Sequence, residues 1–199
     1  MADIISQDRK PVPRVPIAAP VDATPQPALS ETPLALVEML FFAYRDFTGE
    51  ADVKLAAYDL GRAHHRVLHF VNRCPGIRVA HLLEVLKITK QSLGRVLRKL
   101  IEDQWIEQAP GADDRRERLL TLTDRGRVLA AELADLQIRR IDEALRESAA
   151  LSGVDAADII RNFLFAMIAP SERAAVQDIV MQAGDLTEPA VRPDTAKVP

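Results

Sequence analysis

Leu93, Val96, Leu97, Leu100 and Ile101 recur at a spacing that places them on one stripe of an α-helix over residues 89–103. Gln91, Arg95 and Arg98 fall on the opposite side, flanked by Ser92 and Lys99. Thr89 stands where an N-cap is needed, so the helix begins with its positive dipole end free to face a partner. A chain holding such a segment must bury one face in a core while offering the other, basic face to the outside. On its own, a polar basic stripe of this kind is usually a solvated surface. Its neighbours decide what it is for.

The segments on either side read mostly as short helices. Aromatic residues make up only 5% and hydrophobic residues 48% of the 199 positions, which favours helices over a β-sandwich. A first helix is expected over residues 32–47, with Thr32 as cap and Pro33 at the first helical position. A second fits residues 61–73, with Val67, Leu68 and Val71 on its apolar side, and stops at Cys74-Pro75-Gly76. Ile77 to Val79 read as a very short strand. Residues 80–86 form a compact helix joined to the basic one through Lys87-Ile88.

Beyond that helix the periodicity changes. "WIEQ" and "RLLTLT" are apolar or β-branched runs, and "APGADDRRE" between them reads as a hairpin tip. Thr123 caps a long helix from Asp124 to about Ser148, followed by a helix over residues 155–168 and a last short one from Pro170-Ser171. Residues 1–30 hold six prolines and read as a disordered arm, residues 184–199 as a disordered tail, and residues 31–183 as the folded domain. There is no internal repeat.

The net charge of −3 excludes a polycation, so a nucleic-acid surface has to be a local patch. From Lys87 to Arg118 there are eight Lys/Arg against six Asp/Glu. That surplus has the right sign but is modest, and the arrangement argues more than the total. A compact helix, a tight turn and a basic helix make a helix-turn-helix, which presents its second helix to a major groove. The hairpin that follows carries Arg115, Arg116 and Arg118, suited to phosphates or a neighbouring minor groove.

Residues 79–126, "VAHLLEVLKITKQSLGRVLRKLIEDQWIEQAPGADDRRERLLTLTDRG", resemble the winged helix-turn-helix core of MarR-type transcriptional regulators. The Asp114-Arg115-Arg116 wing followed by "LTLTDRG" is the most specific piece of that likeness. "LGRAHHRVLHFVNRCPG" with "ITKQSL" is similar to a PetP-like branch of the family.

The resemblance implies a mainly α fold: a winged helix-turn-helix with a two-stranded wing and flanking dimerisation helices. The DNA-binding core would span about residues 60–123, and the dimerisation helices about 32–47 and 124–182. It implies a cytoplasmic bacterial homodimer that regulates transcription from a pseudo-palindromic operator in double-stranded DNA, with a small-molecule effector as a further expected partner. The DNA-facing residues would be Thr89, Lys90, Gln91, Ser92, Arg95, Arg98, Lys99, Asp114, Arg115, Arg116 and Arg118. Gln91, Ser92 and Arg95 would read the major groove, with Arg116 entering the minor groove and Asp114 bracing it. The alternatives are a protein-interaction module built on the same fold and an architectural protein that binds DNA without sequence preference.

Other chemistry finds little support. No signal-like apolar run opens the chain, and no stretch approaches the ~18 apolar residues of a membrane span, so no membrane role is expected. The lone Cys74 excludes a disulfide framework within the chain and reads as an inert thiol. His65 and His69 lie one helical turn apart, a spacing that grips zinc, but no carboxylate or thiol completes the set, so no metal is expected. His64, His65 and Tyr44 are candidates for lining a ligand pocket. Tyr44, Phe47 and Tyr58 read better as packing, and Trp105 as core between helix and wing. No nucleophile–base pair, phosphate loop or acidic dyad stands out, so neither an enzyme nor a cofactor is implied.

Overall fold

The structure is a computed structural model that describes residues 32–111 and 114–181. The proline-rich arm and the C-terminal tail expected from the sequence lie outside these residues. Of the described residues, those up to Leu40, at the start of helix α1 (Pro33–Ala56), form one unit, and those from Phe41 onward form a second.

Helix α1 continues well past Phe47, the end expected from the sequence. Thr48 is buried, yet its hydroxyl is satisfied inside the helix, donating to the carbonyls of Tyr44 at 3.0 Å and Arg45 at 3.1 Å. Ala51 and Leu55 then bury in the core, and that packing carries the helix across the glycine. Helix α2 (Arg62–Arg73) buries Val67, Leu68 and Val71. At its start, the Gly61 N–H donates to His64 Nδ1 at 3.1 Å, which takes up one orphan donor of the first turn.

Strand β1 (Ile77–Arg78) leads into helix α3 (Val79–Leu86). Lys87 then turns the chain in the left-handed region, with φ 50°, before helix α4 (Lys90–Glu102). Thr89 Oγ1 accepts the Ser92 N–H at 3.1 Å, capping α4. Strands β2 (Ile106–Pro110) and β3 (Arg118–Leu122) form the wing, pairing from Ile106↔Leu122 to Pro110↔Arg118. β1 adds to the other edge of β3, with Ile77 opposite Leu120, so the expected two-stranded wing belongs to a three-stranded sheet of order β1-β3-β2.

Helix α5 (Asp124–Ser152) starts against the end of α4. Thr123 Oγ1 accepts the Gly126 N–H at 3.0 Å and its hydroxyl donates to the Gln104 carbonyl at 2.8 Å. A Cβ on Gly126 would lie 2.1 Å from the Trp105 carbonyl oxygen, so this approach admits only glycine. Helix α6 (Ala157–Met167), a 3-10 turn (Pro170–Glu172) and helix α7 (Arg173–Met181) complete the described chain. No described helix is long and apolar enough to cross a membrane.

The core gathers where α2, α3, α4, the sheet and the start of α5 meet: Val67, Leu68, Leu82, Leu93, Leu100, Trp105, Ile106, Leu120 and Leu133 are all nearly fully buried. The outer helices differ. α5 buries only residues of its first third, and α6 and α7 bury none. Phe41 and Phe42 on α1, Ile138 and Ile141 on α5, and Ile159, Phe163 and Leu164 on α6 remain exposed. Such apolar surface on a water-facing helix calls for a partner.

Candidate nucleic-acid interface

Helix α4 divides as its periodicity requires. Leu93, Val96, Leu97 and Leu100 are buried, whereas Thr89, Lys90, Gln91, Ser92, Arg95 and Arg98 are exposed on the other side. At the end of the helix the Asp103 N–H bonds the Lys99 carbonyl, and Gln104, at φ 59°, turns the chain toward the wing.

The basic side chains fall into two groups. Lys87 pairs with Glu172 at 3.0 Å, Arg78 with Glu117 at 2.9 Å, and Lys99 with both Asp59 at 3.0 Å and Asp103 at 3.1 Å. Hydrogen bonds to Asp59 and then Asp103 raise the Lys99 ammonium above the ordinary lysine range. Its charge is thus matched within the fold. Lys90, Arg95, Arg98, Arg115, Arg116 and Arg118, in contrast, have no carboxylate partner among the described residues. Cations left unmatched by the fold are the ones available to phosphates.

The wing is closed by backbone contacts. Asp114 Oδ1 accepts the Arg116 N–H at 2.8 Å, so any bracing of Arg116 acts through its main chain, fixing where the residue starts and leaving the guanidinium unconstrained. The Glu117 N–H donates to the Asp114 carbonyl at 3.0 Å, and the Gly111 N–H to the Glu117 carbonyl at 3.1 Å.

Trp105 joins the wing to α4. It is 2% exposed, meets Tyr58 edge-on with ring centroids 5.1 Å apart, and lies under the Arg125 guanidinium at 3.7 Å. Sequence reasoning passed over Arg125; nothing in local spacing pairs it with Trp105. Arg66 was missed for the same reason: its Nη2 donates to the Leu86 carbonyl at 3.0 Å, tying α2 to the end of α3.

Tyr44, His64 and His65 are placed apart in role. Tyr44 is exposed, with the Arg62 guanidinium 5.7 Å from its ring centroid. His64 caps α2, and His65 is half-buried near Asp52. A cavity of about 970 Å³ is lined instead by His69, Arg73, Cys74 and His81 on one side and Glu172 and Ile179 on the other. Arg73 Nη2 spans it, donating to the Ile179 carbonyl at 3.0 Å. No group of three or more His, Cys, Asp or Glu among the described residues is placed to hold a metal ion.

His64 and His65 give the fold a pH dependence. Burial lowers both imidazoles below the ordinary histidine range; the Lys99 charge adds to this at His64, and Asp52 opposes it at His65. Below about pH 6.5 the unfolded chain therefore binds protons that the folded chain resists, and stability is lost as pH falls. Protonation of His64 Nδ1 also removes the acceptor of the Gly61 N–H. The melting temperature should fall between about pH 7 and about pH 5, and fall less in the variant His64→Gln with His65→Gln. An unchanged slope in that variant would assign the effect to other groups.

Comparison with known proteins gives the following matches. A model of the MarR family matches residues 58–117. The HTH-type transcriptional regulator PetP of Rhodobacter capsulatus is 47% identical over 141 residues, covering 71% of this chain and 82% of that protein. A crystal structure of MarR superposes with a TM-score of 0.53 at 24% identity, covering 78% of this chain and 96% of that one. A SlyA-like transcription regulator from Listeria monocytogenes does so at 0.50 and 17% identity, covering 78% and 97%. These two structures share the fold.

Proposed function

The chain belongs to the MarR family, a family of transcriptional regulators and not of enzymes, and from that premise we propose that it acts as a homodimer on a pseudo-palindromic DNA operator. The observation that carries this reading is the grouping of cations with no carboxylate partner among the described residues on α4 and the wing, while Lys87, Arg78 and Lys99 are paired. α4 is the recognition helix. Gln91, Ser92 and Arg95 read base edges in the major groove; Lys90, Arg98, Arg115 and Arg118 serve the backbone; Arg116 enters the minor groove or meets phosphate. Thr89 and Asp114 set the starting geometry of helix and wing. Lys99 contributes only at the margin, because its carboxylate partners must first release it.

The dimer is supported by the apolar residues left exposed on α1, α5 and α6, which a two-fold partner would bury. Two symmetry-related recognition helices place half-site centres about 10 base pairs apart. A small-molecule effector would act by changing that spacing. Sedimentation at micromolar concentration should report about twice the 22.0 kDa chain mass; a monomer at all concentrations would remove the dimer from the account.

Titrating salt against DNA affinity tests the interface. Phosphate contacts release counterions, so affinity should fall steeply with salt. Arg116→Ala should weaken binding to most sequences and make the slope shallower by up to ~1, the loss of one phosphate contact. Affinity that ignores salt would point to a protein-docking surface. Equal affinity for all sequences would point to an architectural role.

A further inference from the structure

Glu117 is a carboxylate in an unfavourable place for a surface that meets phosphates. It follows Arg115 and Arg116 directly, and its backbone closes the wing tip through bonds to Asp114 and Gly111. Its side chain is only partly buried, 38% exposed, so the carboxylate is within reach of solvent and of charged neighbours. Left unmatched, this carboxylate would draw the two neighbouring guanidinium groups onto itself and repel DNA phosphates. It is not left unmatched. Arg78 ends β1, pairs with Leu119 across the sheet, and immediately precedes α3. Its Nη1 donates to Glu117 Oε1 at 2.9 Å. The wing arginines, meanwhile, have no carboxylate partner among the described residues.

We propose that Arg78 is a positioning residue for DNA binding, which holds the Glu117 carboxylate toward β1 and so leaves Arg115 and Arg116 free for phosphates. The inference rests on the reading of α4 and the wing as the DNA interface. An exposed ion pair adds little to stability, so the effect belongs in binding and hardly at all in unfolding.

The test is a double-mutant cycle on the full chain, using duplex DNA selected by the wild type. Arg78→Ala should weaken binding about three- to fivefold, the upper range of what one exposed charge pair contributes. Its melting temperature should stay close to wild type. Adding Glu117→Gln to Arg78→Ala should restore affinity to within about twofold, because the offending charge is gone. An unchanged affinity in Arg78→Ala overturns the proposal. So does failure of Glu117→Gln to restore it, which would make Arg78 a DNA contact in its own right. Arginine-selective NMR of the protein without DNA separates this from failure of the DNA reading itself. The Arg115 and Arg116 Nε–H signals should shift in Arg78→Ala and return in the double variant, and signals that do not move contradict the latch even where DNA binding is intact. A wild type that binds no duplex, with those shifts still seen, would sink the DNA reading and leave the contact standing.

Discussion

Arg95→Ala is expected to weaken binding to the preferred DNA by about 1–3 kcal/mol and to relax preference at one base position, while leaving the melting temperature unchanged. Arg95 is exposed on the stripe of α4 opposite Leu93, Val96, Leu97 and Leu100. Its side chain makes no hydrogen bond or ion pair with the described residues, so truncation removes no folding contact. Arginine and alanine are also both good helix formers. The whole effect should therefore appear in recognition. Selecting sites from randomised duplexes with wild type and variant gives the answer. If the variant keeps the wild-type preference at every position, Arg95 is a backbone contact and the reader lies elsewhere on the helix.

Trp105→Ala should have the largest effect on the fold, lowering unfolding free energy by about 3–5 kcal/mol. The side chain is 2% exposed and packs against Tyr58 and Arg125. Its backbone ties three elements: its N–H donates to the Leu100 carbonyl at 2.8 Å, and its carbonyl accepts the Thr123 N–H at 3.2 Å. A cavity here loosens the end of α4, the start of the wing and the start of α5 together, so DNA affinity should fall as well. Trp105→Phe should behave differently. The buried Nε1 has no hydrogen-bond partner, and removing an unmatched donor offsets part of the lost packing. That variant should cost less than about 1.5 kcal/mol. Urea denaturation distinguishes them: if phenylalanine costs as much as alanine, the indole N–H is satisfied in solution and the argument from the orphan donor fails.

The parts of this fold that were legible in the sequence are those set by local chemistry. Thr89 and Thr123 cap the helices their spacing assigns them, and Cys74-Pro75-Gly76 ends α2. The apolar stripe of α4 follows from periodicity alone. What escaped depends on residues distant in sequence or on choices that leave no local mark. α1 runs through Thr48-Gly49 because the hydroxyl bonds backward and Leu55 finds a core. Lys87 and Gln104 adopt left-handed turns without the glycine or asparagine that announces them. The short strand β1 was legible, but its place beside β3 depends on tertiary pairing. In the candidate site, exposure on α4 could be read from spacing, but which cations are matched could not. Lys99 is held by Asp59 from the segment before α2, and Arg78 by Glu117 across the sheet.

In the proposed complex, two copies of this chain present α4 and the wing to adjacent turns of one duplex. Selection of binding sites from random double-stranded DNA, with the spacing of the recovered motif as readout, tests it most directly. An inverted repeat whose half-site centres lie about 10 base pairs apart, bound less tightly as salt rises, is the expected result. A single asymmetric half-site, or no enriched motif at all, would contradict it.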